Sequence, residues 1–259
     1  MKIASWNVNS LRVRIPQVLD WLKKTDVDIL GIQETKVEDH SFPLDEIIDA
    51  GFYCDFIGQK TYNGVTTISK KPSTESIKLI NGKEQDEKRF LLTRYGKELS
   101  VLNLYVVNGQ EVGSEKYKYK LSWLKNIKEH LKNDLNKTKY YVVLGDFNIA
   151  PEDDDVYAPD SWKDKILCSK KERNMLKEIL DLGFSDCFRL FSQEKDLYSW
   201  WDYRSGAFRR NHGLRIDLML ANNALKEKCT SSYIDIIPRK NERPSDHAPV
   251  VTIYDIGYQ

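Results

Sequence analysis

Short apolar runs alternate with stretches whose apolar residues recur every three or four positions, and the alternation persists from one end of the chain to the other. Runs at residues 3–8, 27–32, 64–69, 90–94, 99–106, 140–144, 216–220 and 250–254 predict strands. Ile15, Val18, Leu19 and Leu22 fall at i, i+3, i+4 and i+7 and predict a helix after the first strand. Tyr117, Leu121, Leu124, Leu131 and Leu135 predict a second, with one turn less regular. A third is announced by the capping-box pattern Ser169-Lys170-Lys171-Glu172, carries Met175, Leu176, Ile179 and Leu182, and stops at Gly183. Strands and amphipathic helices in alternation, with no linker, low-complexity tract or fixed-period repeat, predict a layered α/β domain over residues 1–259. Two strand-like runs end alike, in Trp6-Asn7 and in Asp146-Phe147-Asn148, which fits two halves of similar topology and fits chance equally well.

Composition adds limits. A chain of 259 residues can bury a large core, and 40 basic against 39 acidic residues leave a formal charge of +1. No global positive field draws such a protein onto a polyanion, so any site of that kind must be local. Cys54, Cys168, Cys187 and Cys229 stand singly and far apart, without the paired spacing of a zinc site, and read as reduced thiols. The opening Met1-Lys2-Ile3-Ala4-Ser5-Trp6-Asn7 lacks the cationic and apolar regions of a signal peptide. No run approaches the roughly 20 apolar residues of a membrane span. A cytoplasmic protein without a membrane partner is the expectation.

Chemistry collects where the strand-like runs end. Polar residues interrupt them in Ser5-Trp6-Asn7-Val8-Asn9, Gly31-Ile32-Gln33-Glu34-Thr35, Gly145-Asp146-Phe147-Asn148, Leu214-Arg215-Ile216-Asp217 and Pro244-Ser245-Asp246-His247-Ala248-Pro249. One Asn or Asp after a strand ordinarily makes a turn or a helix cap. Five such segments can converge at one rim of a sheet. Hard oxygen donors such as Glu34, Asn9 and Asp246 suit Mg2+ or Mn2+ rather than zinc. His247, beside one aspartate and with a second elsewhere, offers the parts for orienting an imidazole and positioning a water. His40, His130 and His212 lack such company and read as solvated surface residues. No Gly-x-Ser-x-Gly elbow and no phosphate-binding Gly-rich loop is present.

These residues together resemble the exonuclease III and abasic-site endonuclease family of the endonuclease/exonuclease/phosphatase superfamily, and the likeness runs nearly end to end. Its further carriers are Ser10-Leu11-Arg12, Asn103-Leu104-Tyr105-Val106-Val107-Asn108-Gly109, Ile149-Ala150-Pro151, Ser199-Trp200-Trp201-Asp202-Tyr203-Arg204 and Gly213-Leu214-Arg215-Ile216-Asp217. The Trp200 and Leu214 blocks are closer to the DNA-repair branch than to the superfamily at large. The resemblance implies a four-layer α/β/β/α sandwich, two packed mixed β-sheets flanked by helices, with the site at one end of the sheets. It implies Glu34 as principal metal ligand, helped by Asn9 and by Asp246 through water, with Asn7 organising the same cluster. It implies Asp146, steadied by Asn148, as the residue that aligns or deprotonates the attacking water, and Asp217 as the partner of His247. Tyr105 and Asn108 match residues that hold the scissile phosphate.

The implied substrate is duplex DNA carrying abasic sites or blocked 3′ ends, cut by a monomer with Mg2+ or Mn2+. Two local basic and aromatic stretches offer phosphate contacts: Lys116-Tyr117-Lys118-Tyr119-Lys120, and residues 204–215 with Arg209 and Arg210. Trp200, Leu214 and Ile216 resemble the family's apolar recess for a flipped abasic sugar. Val107 stands where a proline is common, and Asn9 is an aspartate in some relatives; both bear on metal affinity and on the balance of endonuclease and exonuclease action. The competing readings are a phosphatase or phosphodiesterase of the same fold for a small phosphoester or phospholipid headgroup, and a non-catalytic binding relative.

Overall fold

The computed structural model describes residues 1–191 and 194–257. One sheet contains β1 (Lys2–Asn7), β2 (Ile29–Gln33), β3 (Tyr53–Ile57), β4 (Val65–Ser69), β11 (Cys229–Ile234) and β12 (Val250–Tyr254). The other contains β5 (Glu75–Ile77), β6 (Phe90–Tyr95), β7 (Leu99–Tyr105), β8 (Tyr140–Asp146), β9 (Phe184–Asp186) and β10 (Asp217–Asn222). The helices are α1 (Leu11–Thr25), α2 (Leu44–Asp49), α3 (Glu115–Asp134), α4 (Pro159–Trp162), α5 (Lys170–Leu180) and α6 (Asn223–Lys226).

Strands covered on both faces need apolar or paired residues at every position, which is why β2, β4, β6 and β8 read as runs rather than as alternations. Ile3 and Ile29 of the first sheet interleave with Val101, Val142, Leu144 and Met219 of the second. Outside, Ile15, Val18 and Leu22 of α1 pack on Ala4, Trp6, Leu30 and Ile32. On the opposite side Trp123, Leu124 and Ile127 of α3, with Leu176 and Ile179 of α5, pack on Leu102, Leu104, Val143 and Leu218. The order of layers is therefore helix, sheet, sheet, helix. Polar residues also pin the sheets together. Asn103 on β7 donates to the carbonyls of Ile32 (3.1 Å) and Thr66 (2.8 Å), and Gln33 donates to Asn103 Oδ1 (2.7 Å). Hydrogen bonds this deep tolerate little sliding of one sheet over the other.

The two sheets share one plan. Their strand orders are β11-β12-β1-β2-β4-β3 and β5-β6-β7-β8-β10-β9. Each has one parallel pair at its centre, β1 with β2 and β7 with β8, joined by α1 and α3 respectively. The faint likeness of Trp6-Asn7 to Asp146-Phe147-Asn148 matches the wrong strands, since β1 corresponds to β7 and β2 to β8.

The periodicity missed β3, β5, β9 and β11, of which β3, β5 and β11 are partly exposed and mixed in composition. It missed α2, α4 and α6, which are too short to show a 3.6-residue period. His130 is corrected: it is buried against the edge of Phe90 and accepts a hydrogen bond from the Asn81 amide. His212 is half-buried, stacked on Tyr157 at 4.7 Å.

Candidate active site

In a parallel pair both strands finish at the same edge, and an antiparallel neighbour starts there. Asn7, Gln33, Tyr105 and Asp146 finish β1, β2, β7 and β8, while Asp217 opens β10 opposite Asp146 and His247 lies just before β12. Residues up to 241 positions apart are thereby brought to one rim, as the Trp6 Nε1 bond to the His247 carbonyl illustrates.

The loops leaving these strands are held in unusual conformations. Asn9 (φ 45°), Ser10 (φ 92°), Glu34 (φ 55°), Lys36 (φ 53°) and Asn148 (φ 49°) occupy the left-handed region without being glycine. Such positions cost about 1–3 kcal/mol each and persist only where neighbours over-determine them. Here Ser10 and Leu11 amides donate to the carbonyls of Glu34 and Thr35, and the amides of Thr35 and Lys36 donate to Gly64 and Asn63. Gly64 itself (φ 86°) has no room for a side chain, because a Cβ would lie 2.0 Å from Thr35 Oγ1. Gly145, directly before Asp146, is equally constrained: a Cβ would lie 1.9 Å from the Leu104 carbonyl.

Asn7 sits at the centre. Its amide nitrogen donates to Glu34 Oε1 and Asp146 Oδ2, both at 2.9 Å, and its oxygen accepts from the Asn9 amide at 3.0 Å. Asn7 thus ties the two carboxylates of the cluster together and presents N–H groups to them. Asp146 Oδ1 accepts from the Asn148 amide (2.9 Å), and the Asn148 side chain donates to the Val106 carbonyl (3.0 Å). His247 Nδ1 meets Asp217 Oδ2 at 2.9 Å, and its Nε2 faces Asp146 Oδ2 at 3.8 Å. Ser199 Oγ donates to the same Asp217 oxygen at 2.6 Å and accepts from the amides of Ile216 and Asp217.

Burial pushes the Asp146 carboxyl up to about 7; Asp217 and Glu34 add to this, while the imidazole and the Asn7 amide oppose it. For His247, burial alone would discharge the ring, but Asp217, then Asp146 and Asp246, outweigh it and lift the pKa to about 10. The Tyr105 hydroxyl is driven well above its ordinary range, by burial first and by Glu34 and Asp146 next, so it stays a hydrogen-bond donor. Arg89 lies over its ring at 4.5 Å.

Among the described residues, Glu34, Asp146 and His247 offer ligand atoms all within 4.8 Å of one another. The oxygen-rich setting fits a hard divalent cation. A cationic group already marks part of it: the Lys36 ammonium lies 2.9 Å from Glu34 Oε2 and donates to Asn9 Oδ1 at 2.6 Å. Glu34 and Asn9 therefore accept positive charge together. Asp246 is placed differently, because Oδ1 accepts from Asn9 and Oδ2 from Trp200 Nε1, both at 3.0 Å. Its carboxyl is held below its ordinary value, burial being outweighed by His247, Asn9 and Trp200.

Asn108 is exposed, donates to Asn148 Oδ1 at 3.0 Å and so borders the cluster. Lys116, Arg209 and Arg210 are exposed and make no direct contact with it. Two members of the basic stretches are corrected: Lys120 is fully buried with Glu172, and Arg215 is buried between Asp155 and Asp186. The open apolar recess is corrected as well. Trp200 is half-buried, but Leu214 and Ile216 are enclosed by Ala150, Val156, Leu167 and Cys168.

Reading the sequence missed Lys36, Ser199, Lys120 and Arg14. Arg14 donates to the carbonyls of Asn9 and Pro244, binding two site loops to α1. Each lies within or beside a quoted motif, yet the type of residue alone does not tell a surface cation from a buried one.

The model of the endonuclease/exonuclease/phosphatase family matches residues 4–247. Exodeoxyribonuclease III of Haemophilus influenzae is 34% identical, over 96% of this chain and 98% of that protein. The exodeoxyribonuclease of Bacillus subtilis is 32% identical, over 99% and 100%. Among solved structures, the 3′-5′ exonuclease NExo of Neisseria meningitidis superposes with a TM-score of 0.96 at 39% identity, covering 99% of this chain and 100% of that one. An AP endonuclease from Archaeoglobus fulgidus gives 0.94 at 38% identity, covering 99% and 100%. The chain belongs to the endonuclease/exonuclease/phosphatase family and is a phosphodiester hydrolase of its exodeoxyribonuclease III and AP endonuclease branch.

Proposed function

We propose that this hydrolase is a DNA-repair nuclease, acting with Mg2+ or Mn2+ on the backbone 5′ to abasic sites and on 3′ ends of duplex DNA. The observation that carries the reading is the convergence of Asn7, Glu34, Asp146, Asp217 and His247, from five strand ends, on one buried polar cluster. In-line hydrolysis of a phosphodiester needs a water aligned with the leaving oxygen and positive or donor groups around the phosphate.

Glu34 and Asn9 would hold the ion, with Asp246 acting through Asn9 or through water. The bound ion supplies charge neutralisation at the phosphate and the leaving oxygen. Asp146, with a carboxyl near neutrality, orients the water and takes its proton. His247 Nε2 donates to a non-bridging phosphate oxygen while Asp217 and Ser199 keep the ring in place. The Tyr105 phenol and the Asn108 amide donate to the same phosphate. Exposed Lys116, Arg209 and Arg210 contact the flanking backbone. An abasic sugar would reach Leu214 and Ile216 only after the 156–168 segment shifts, with Trp200 at the mouth. Among the described residues no helix is long and apolar enough to cross a membrane. The proposed enzyme acts as a monomer in the cytoplasm, where its duplex substrate lies.

The test compares a duplex with one abasic analogue, an intact blunt duplex and a duplex with a 3′-phosphate, with Mg2+, Mn2+ or a chelator. Metal-dependent cleavage, lost in Asp146→Asn and in His247→Ala, is expected, with Trp200→Ala selectively impaired at the abasic site. In thermal unfolding without DNA, saturating Mn2+ at 100 times its Kd should stabilise wild type by about 2.7 kcal/mol. Glu34→Gln should lose most of that. Turnover of small phosphoesters without any cut in duplex DNA would refute the proposal.

A further inference from the structure

Lys120 is wholly buried, and so is its partner Glu172. Burying an ammonium and a carboxylate costs several kcal/mol per ion unless every hydrogen and lone pair is answered. All three ammonium hydrogens are answered here. One goes to Glu172 Oε1, one to the Asn108 carbonyl at 3.1 Å and one to the Asn148 carbonyl at 2.7 Å.

Those two carbonyls belong to the loops that follow β7 and β8. The same two residues meet again through their side chains, Asn108 Nδ2 donating to Asn148 Oδ1 at 3.0 Å. Asn148 then reaches Asp146 through its amide at 2.9 Å. The ammonium therefore closes a ring beneath the residues that face the phosphate and the water. Its own position is set from α5: Glu172 accepts from the Leu167 amide (3.1 Å), the Ser169 amide (3.0 Å) and Ser169 Oγ (2.6 Å), and Tyr117 OH lies 2.7 Å from that hydroxyl. A hydroxyl or amide has too few donors to hold two carbonyls and a carboxylate at once.

We propose that Lys120, fixed by Glu172, is a positioning residue for phosphodiester hydrolysis. It holds the 106–109 and 147–150 loops so that Asn108 and Asn148 keep their alignment on the phosphate and on Asp146; this rests on the function proposed above. A pair of similar burial, Arg94 with Asp134, lies at the other end of the second sheet, where Asp134 also accepts from Tyr141 near the start of β8. It provides a control that weakens the fold without touching the rim.

The experiment measures kcat and KM on the abasic duplex with Mg2+, thermal unfolding, and backbone amide exchange without DNA. The variants are Lys120→Met, Glu172→Gln, Asn148→Ala, Lys120→Met with Asn148→Ala, and Arg94→Met. Lys120→Met is expected to lower kcat about 100-fold with KM changed less than about threefold, the scale of an ångström-sized misplacement. Combined with Asn148→Ala it should add little to the loss from Asn148→Ala alone. Exchange at the Asn148 amide should quicken, whereas Arg94→Met should lose comparable stability and keep kcat. If Lys120→Met does not fold, Glu172→Gln carries the test through a smaller fall in kcat and the same quickened exchange. Unchanged kcat with unchanged exchange at Asn148, or full multiplicativity with Asn148→Ala, overturns the proposal. The exchange needs no substrate, so a wild type inactive on DNA would refute the proposed function separately.

Discussion

Ser199 carries more of the site than its size suggests, and Ser199→Ala measures how much. The hydroxyl is fully buried and makes three hydrogen bonds: it donates to Asp217 at 2.6 Å and accepts from the amides of Ile216 and Asp217, each at 3.1 Å. A hydrogen bond to a charged group contributes about 1.5–3 kcal/mol, and a buried amide left without its acceptor costs about 1–3 kcal/mol. Shared between two amides on one acceptor, the total is about 3–4 kcal/mol. The vacated space is that of one oxygen, too small for a replacing water. At about 2–4 °C per kcal/mol for a chain of this size, Tm should fall by about 6–16 °C. Asp217 would retain His247 as its side-chain partner, and its second oxygen is buried with no hydrogen-bond partner among the described residues. The ring should therefore wander, lowering kcat on an abasic duplex about tenfold while KM stays within a factor of about two. Denaturant unfolding and steady-state kinetics, run well below the transition, provide both numbers. A stability loss under about 1 kcal/mol, or an unchanged kcat, would mean that Ser199 does not brace this carboxylate.

Arg215→Met should cost about 3–5 kcal/mol in denaturant unfolding, because it leaves the Asp186 carboxylate without this cation and the buried Asp155 carboxylate with the partly exposed Arg189 alone; removing Lys24 from its exposed pair with Asp20 should cost less than about 0.5 kcal/mol. His130 is held neutral below its ordinary value of 6.5, by burial first and by Lys137 and Arg94 next, against the pull of Asp134. The unfolded chain takes the proton first as pH falls, so His130 supports stability above about 6.5 and loses that support below it. Urea unfolding from pH 8 to pH 5 should show the difference between wild type and His130→Gln shifting in favour of the variant, and a constant difference would contradict the assignment.

How much of this was legible in the sequence depended on what each residue had to do. The eight strands read as unbroken apolar runs because both faces are covered, and Ser169 with Glu172 spelled out a cap that the fold contains. Glu34, Asp146, Asp217 and His247 stood out since carboxylates and a histidine at strand ends have few other uses in such number. Edge strands such as β3 and β11 did not, because half-exposed mixed sequence carries no period. Lys120 and Arg215 sat in runs of basic residues, and nothing local distinguishes a solvated cation from one facing a carboxylate 52 or 60 positions away. The enclosure of Leu214 and Ile216 was hidden for the same reason, as the residues covering them lie more than forty positions upstream.

The first sheet is stitched from both extremities of the chain. β12 lies between β1 and β11, and the Met1 ammonium donates to the Tyr254 carbonyl at 2.8 Å. A fragment stopped between Asn148 and His247 would own Glu34 and both loop asparagines yet lack the imidazole and the β12 neighbour that β1 needs. Synthesis thus delivers His247 and the missing sheet partner almost together, and shorter products are left with an unpaired edge and without the imidazole of the proposed site.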